Sequence, residues 1–373
     1  MRFLHLRAEH QPFRRPDGSI QIGAIPGIAS ILPDPGGWRG HLLDLLDGTR
    51  TLPDVLAAMA TDHPDVGPAE IGRLIGELTW AGHLRETRRQ GPPVGTDPDT
   101  AQRHQRGAEY WDMVDRFGRS GWDIHLRLAR ASVTIVGVGG AGASAATVLA
   151  AEGVGRLTLI DPDHVELSNL HRQHLYTHAD IRRPKVEAAA DRLRERTPDL
   201  DVAVRIERVT LQPQLAALMA DCDLLLLAAD EPEGLRLRAN RASLQTLCPW
   251  VDAGYHGPVI TTALYDPDSD APCWECLRHG EAATRGLPGL HGDDLHRALP
   301  RPAGHPTTAV TATLAGTYAA HAALTHLTDT PRWDTATVYR HSLIAAADRP
   351  LPPVTHPRNP DCPSCATQPV RTP

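Results

Sequence analysis

Residues 131–152 read Ala-Ser-Val-Thr-Ile-Val-Gly-Val-Gly-Gly-Ala-Gly-Ala-Ser-Ala-Ala-Thr-Val-Leu-Ala-Ala-Glu, and their order decides the fold. No charge precedes Glu152, so hydropathy alone would flag a membrane span. The internal order argues otherwise. An apolar segment, Val133–Val136, meets the glycine turn Gly137-Val-Gly139-Gly140-Ala-Gly142 and then an alanine-rich run. This predicts a buried strand, a tight turn and a helix start. Glycines at those positions let the backbone approach a phosphate, and the helix N-terminus attracts the anion. Asp161 closes the next apolar segment, Leu157–Ile160, where a carboxylate accepts hydrogen bonds from a ribose hydroxyl. A dehydrogenase, a flavoenzyme and an ATP-using enzyme all fit this much.

The following segment separates them. Asp161-Pro-Asp163 leads to Ser168-Asn169-Leu-His-Arg172-Gln173 and then to Pro184-Lys185. An enzyme that splits a triphosphate needs fixed cations, because charge develops on the bridging oxygen and the leaving pyrophosphate. Of 38 basic residues, Lys185 is the single lysine, and Asn169 is one of three asparagines. A chain that uses arginine elsewhere keeps a compact ammonium at one place. Lys185 also falls in the first turn of a helix, where the dipole disfavours a cation.

Outward from this core, strand and helix alternate from about residue 101 onward, the pattern of an α/β protein with a Rossmann-like, mostly parallel sheet. The last long element is an Ala- and Thr-rich helix over Thr308–Leu327. Residues 1–88 read as a separate small winged-helix-like α+β unit. It has short strands at Ser19–Gly23 and Gly27–Leu32 and helices at Trp38–Leu46, Leu52–Ala60 and Pro68–Trp80. Residues 1–90 hold ten Arg, no Lys and eleven Asp or Glu, which argues against a DNA-binding wing. An exposed sheet edge in such a unit suits capture of an extended peptide. Residues 89–102, rich in Pro and Gly, read as the linker, and 103–373 as the nucleotide domain. The net charge of −7 excludes a general nucleic-acid binder.

Six cysteines in 373 residues do not make a disulfide scaffold, and with no secretory signal they point to the reducing cytoplasm. Four of them form two pairs, Cys273-Trp-Glu-Cys276 and Cys362-Pro-Ser-Cys365. Two such knuckles bring four thiolates to a closed, tetrahedral structural Zn2+ site that clips the C-terminal tail to the domain. The alternative, a thioredoxin-like redox pair, lacks its usual context. Cys222 and Cys248 lie at the edges of apolar segments and read as core thiols.

With these motifs in order, residues 103–366 resemble the ThiF/MoeB/HesA adenylyltransferases, relatives of the ubiquitin-activating enzymes. The resemblance implies that Asp161, Asn169, Arg172, Gln173 and Lys185 bind ATP. It also implies that the acidic residue after the next apolar strand, here Asp230, holds Mg2+, with Arg236, Asn240 and Arg241 following. A homodimer is implied as well, because the family donates an arginine from the partner subunit. Arg106, in Arg103-His-Gln-Arg106, matches that segment. Members that pass substrate to a thioester carry a cysteine in the loop before the long helix. Residues 277–305 hold none, which points to direct capture of the adenylate. The first 88 residues resemble PqqD-like leader-peptide recognition domains, most closely at Leu45–Leu52.

Together the two resemblances imply ATP-dependent adenylation of a carboxylate on a ribosomally made precursor peptide, with release of pyrophosphate and with a possible partner modification enzyme. Two other readings stand beside it. One is a sulfur-carrier protein adenylyltransferase, and the other is a non-catalytic leader-binding partner of a separate cyclodehydratase. No nucleic acid and no membrane are expected as partners.

Overall fold

The computed structural model describes residues 3–86, 91–287, 290, 306–330, 333–344 and 351–366. Most of the stretch before the long C-terminal helix, 288–289 and 291–305, lies outside the described residues, as do 87–90 at the start of the expected linker. The chain divides into two compact units, Met1–Leu126 and Arg127–Pro373.

The first unit contains β1 (Phe3–Leu6), β2 (Pro12–Arg14), β3 (Ile20–Ile22), β4 (Ser30–Leu32), α1 (Trp38–Leu45), β5 (Asp47–Thr51), α2 (Leu52–Asp62), α3 (Pro68–Trp80), β6 (Leu84–Glu86), α4 (Pro98–Val114) and most of α5 (Gly121–Leu128). Two three-stranded sheets form, in the orders β5-β1-β6 and β2-β3-β4. The three expected helices are present, and α3 has the expected limits because Ile71, Leu74, Ile75 and Leu78 fall on one face and are buried. Thr51 caps α2 through a capping box with Asp54. Strand β5, which opens at Asp47 just after α1 ends and pairs with β1, was not among the expected elements. One expectation needs correction: α4 starts at Pro98, inside the stretch read as linker, with Asp97 as its N-cap. Buried Arg7 ties α4 to this unit by donating to the Asp112 carbonyl, and Arg85 pairs with the Asp112 carboxylate at 3.1 Å.

Buried histidines in this unit lead to a pH prediction. Burial, then the neighbouring His10, Arg7 and Arg116, pushes His83 down to about 4, and burial followed by His104 pushes His125 down to about 4. Between those values and the ordinary 6.5 the folded state keeps both rings neutral while the unfolded chain protonates them. The unfolded state therefore binds more protons, and stability falls as pH drops through this window. Urea unfolding at fixed ionic strength should show a lower midpoint at pH 5 than at pH 7. An unchanged midpoint contradicts the assignment.

The second unit contains β7 (Ser132–Val136), α6 (Gly140–Ala151), β8 (Arg156–Ile160), α7 (Lys185–Arg196), β9 (Asp201–Arg205), α8 (Gln212–Met219), β10 (Leu224–Leu227), α9 (Leu235–Thr246), β11 (Trp250–His256), β12 (Val259–Tyr265), α10 (Trp274–Thr284), α11 (Ala309–Thr328) and β13 (Tyr339–Ser342). Its seven strands run in the order β13-β12-β11-β10-β7-β8-β9. The five strands from β11 to β9 are mutually parallel, and β12 and β13 add antiparallel. All four leucines of β10 are buried, as a central parallel strand requires. The alanine-rich helices α6 and α11 pack closely: a Cβ on Gly316 would lie 2.7 Å from the Ser144 Cβ and overlap the Ala141 carbonyl. Helices α8, α9 and α10 build the other layer around Leu215, Leu227, Leu235, Trp250 and Trp274. The uncharged 131–151 stretch is therefore strand, turn and helix, and among the described residues no helix is long and apolar enough to cross a membrane.

Candidate nucleotide site and cysteine cluster

The strand order reverses between β7 and β10, and ligands of open α/β sheets bind outside the carboxyl ends of the strands at such a point. The glycine turn lies there. Gly137 has φ 90°, and a Cβ on it would approach the Ala228 carbonyl oxygen to 2.8 Å. A Cβ on Gly142 would overlap the Gly137 carbonyl. Gly139 is the N-cap of α6 and offers no capping side chain, so the first amides of that helix remain available to an anion.

The turn is held from two sides. Asp161 accepts the Val138 amide at Oδ2 and the Asp163 amide at Oδ1, both at 2.8 Å, while the Tyr176 hydroxyl donates to the Val138 carbonyl at 2.7 Å. Asp161 thus positions the glycine turn, and its oxygens keep further lone pairs for a ribose. Burial, with Asp161 and Asp180 nearby, pushes the Tyr176 hydroxyl well above its usual range, so it stays a donor.

Asn169 and Gln173 are both buried. Asn169 Oδ1 accepts the Glu166 amide at 3.1 Å and fixes the loop that presents Arg172. Gln173 is 3 % exposed, its Oε1 has no hydrogen-bond partner, and its Nε2 lies 3.8 Å from the Cβ position of Gly139. An orphaned buried amide facing the glycine turn is the feature a bound nucleotide would satisfy. Arg172 donates to the Ser168 carbonyl at 3.0 Å.

Lys185 opens α7 and is 7 % exposed. Its Nζ lies 3.0 Å from Asp163 Oδ2, and its amide donates to the Asp163 carbonyl at 2.9 Å. The carboxylate offsets the unfavourable helix dipole and aims the ammonium at the carboxyl end of the sheet. Asp163 also meets Arg208 at 3.9 Å, and Arg208 reaches Glu231 at 3.5 Å. Sequence reasoning missed Arg208, because one more arginine among 37 carries no signal.

Asp230 follows β10 with its side chain 62 % exposed, and its Oδ1 accepts from Arg236 at 3.0 Å. Arg236 also donates to Asp252 at 2.8 Å. Burial opposes its charge, yet the Asp252 and Asp230 carboxylates outweigh burial and hold the guanidinium above its usual range. Hard oxygen donors of this kind suit Mg2+. Asn240 and Arg241, expected to accompany Asp230, turn elsewhere. Asn240 Nδ2 donates to Cys273 Sγ at 3.6 Å, and Arg241 reaches Ser364 at 3.4 Å. Arg106 is exposed on α4, in the first unit.

Cys273, Cys276, Cys362 and Cys365 form one buried cluster whose sulfurs lie within 4.8 Å of one another. Neighbouring pairs are 3.8, 3.7 and 3.5 Å apart. A tetrahedral zinc with bonds of about 2.3 Å has edges of about 3.8 Å, so the donor set fits. The Asn359 amide donates to Cys276 Sγ at 3.4 Å, a second N–H bond to sulfur beside that from Asn240. Four thiolates within 4.8 Å of one another repel, so ionising all four in a buried cluster requires a cation. Cys222 and Cys248 are free and lie 4.0 Å apart, just before the amino ends of β10 and β11.

Known proteins resemble this chain in sequence and in fold. A ThiF family model matches residues 113–364, and a PaaA-like N-terminal domain model matches residues 9–67. The sulfur carrier protein adenylyltransferase of Thermus thermophilus is 31 % identical over 278 residues, covering 70 % of this chain and 93 % of the relative. The Escherichia coli molybdopterin-synthase adenylyltransferase is 35 % identical over 156 residues, or 42 % of this chain and 62 % of that protein. The chain therefore spans about three fifths of the length of this relative. Crystal structures of Escherichia coli MccB, one with ATP and one with AMPCPP and MccA, superimpose with TM-scores of 0.70 and 0.71. They cover 97 % of this chain and 99 % of theirs at 18 % identity, and so share the fold. With the family model spanning more than half of its length, the chain belongs to the ThiF family.

Proposed function

We propose that the chain is an ATP-dependent adenylyltransferase that activates a carboxylate of a ribosomally made precursor peptide. The observation that carries this reading is the combination, in one chain, of a PaaA-like N-terminal domain with a ThiF domain in which a glycine turn opens α6, Lys185 pairs with Asp163 and the buried Gln173 Oε1 has no hydrogen-bond partner. In the reaction, a carboxylate oxygen attacks the α-phosphorus of ATP. The bond from that phosphorus to the bridging oxygen breaks, and its electron pair leaves with pyrophosphate. The first-turn amides of α6, Arg172 and Lys185 stabilise the phosphates. Asp230 would hold Mg2+, which neutralises charge on the departing group. The four cysteines would hold Zn2+ as a structural clip, remote from the chemistry. Arg106 would come from a second copy of the chain, making the active species a homodimer.

The first unit supplies a place for the leader. Strand β4 is the edge of its sheet, and beside it lies a groove of about 600 Å3 bordered by Ile31, Leu32, Leu74, Leu78 and Trp80. Trp80 is 78 % exposed and Ile31 53 %. A peptide added to β4 would gain backbone hydrogen bonds and bury this apolar rim. Because Trp80 is so exposed, Trp80→Ala should leave the melting midpoint unchanged and weaken leader binding by about tenfold, as removal of an aromatic anchor does. Calorimetric titration with the precursor tests it, and unchanged affinity removes the groove from the account.

The 31 % identity to a sulfur carrier protein adenylyltransferase favours a second reading, activation of a protein C-terminus. Pyrophosphate release assayed with a short precursor peptide and with a sulfur-carrier protein separates the two. The proposed function requires the peptide to be the substrate.

A further inference from the structure

Gly140, in the first turn of α6, is closely enclosed. A Cβ there would meet Ala312 Cβ of α11 at 2.7 Å and, at 3.6 Å each, the Arg172 carbonyl and the Tyr255 hydroxyl. Tyr255 lies near the carboxyl end of β11, and its ring packs on the small apolar cluster of Ala141, Ile260 and Ala315. The ring is therefore fixed while the hydroxyl stands beside the anion-binding turn. That hydroxyl makes no hydrogen bond among the described residues. The neighbouring hydroxyls of α11 are occupied by capping: Thr308 accepts the Thr311 amide at 3.2 Å, and the Thr311 hydroxyl donates to the Thr308 carbonyl at 3.0 Å.

Topology separates Tyr255 from Lys185. Lys185 follows β8, on one side of β7, whereas Tyr255 belongs to β11, two strands away on the other side. In phosphoryl-group chemistry the attacking and leaving oxygens lie roughly in line across phosphorus. If Lys185 attends the departing pyrophosphate, the attacking carboxylate enters from the β11 side.

We propose that the Tyr255 hydroxyl donates a hydrogen bond to the non-attacking oxygen of the substrate carboxylate, and so orients the other oxygen toward the α-phosphorus. This rests on the proposed function and names the residue that reads the acyl end of its substrate. The same hydroxyl then faces the carbonyl oxygen of the acyl-adenylate. There it would stabilise the negative charge that develops when a nucleophile adds to the carbonyl carbon and AMP departs with the electron pair of the acyl–oxygen bond.

Tyr255→Phe in the full chain is the test, since it removes only the oxygen. Peptide-dependent ATP–pyrophosphate exchange should fall in kcat by about 10²-fold, the usual effect of deleting one such donor. The affinity for ATP and the melting midpoint should stay at their wild-type values. Wild-type kcat in the variant overturns the proposal, as does a parallel loss of ATP affinity, which would place the hydroxyl on a phosphate. A lowered melting midpoint overturns it too, by giving the hydroxyl a structural role. Absence of exchange in the wild-type chain overturns the proposed function, and this assignment with it.

Discussion

Lys185→Ala is expected to lower peptide-dependent ATP–pyrophosphate exchange by about 10²–10³-fold, the range for one preorganised charged donor. The ammonium is held 3.0 Å from Asp163 and is largely withdrawn from water, so its field is little screened. No second lysine exists to replace it, and Arg208, the other cation on Asp163, is tied to Glu231 as well. Lys185→Arg should rescue poorly, because a planar fork does not reproduce the compact point charge that the buried Lys185 holds against Asp163. The fold should survive both changes, since the partner Asp163 is half exposed and stays hydrated when unpaired. Exchange rates with circular dichroism on the same samples check this. A fully active alanine variant would remove Lys185 from the chemistry.

The second large effect concerns the cysteine cluster. The purified chain should carry one zinc, and Cys362→Ser should lose it, releasing the tail from α9 and α10. Structural zinc sites contribute on the order of 10 kcal/mol of apparent binding energy at neutral pH. Each kcal/mol is worth about 2–4 °C in a unit of this size, so the melting midpoint should fall by roughly 10 °C or more. Should the serine variant fail to fold, Asn240→Ala offers a milder probe. It removes the 3.6 Å amide–sulfur contact and should weaken zinc retention against a chelator by about 10–100-fold. Metal analysis showing no zinc in the wild-type chain, or no loss in either variant, contradicts the assignment.

The site was legible wherever residue type and spacing leave few choices. Glycines at 137 and 142 stand where a Cβ would strike backbone, the rare lysine opens α7 as expected, and the two Cys-x-x-Cys pairs meet. Helix α3 was legible because its apolar stripe is clean. Strand β5 was not, because Asp47-Gly48-Thr49 carries turn chemistry and becomes strand only through pairing with β1. Asn240 and Arg241 were grouped with Asp230 by proximity along the chain, yet α9 carries them to the cysteine cluster. Tyr176 bonds to the glycine turn and Tyr255 stands beside it, both from distant segments. Their signal was rarity, with six tyrosines in the chain, but only the fold shows which of the six converge.

The most direct measurement is ATP–pyrophosphate exchange by the purified full chain, with and without its precursor peptide. Exchange that requires the peptide and disappears in Lys185→Ala is the predicted result. Tight peptide binding without exchange would contradict the account and leave a protein that delivers peptide to another enzyme.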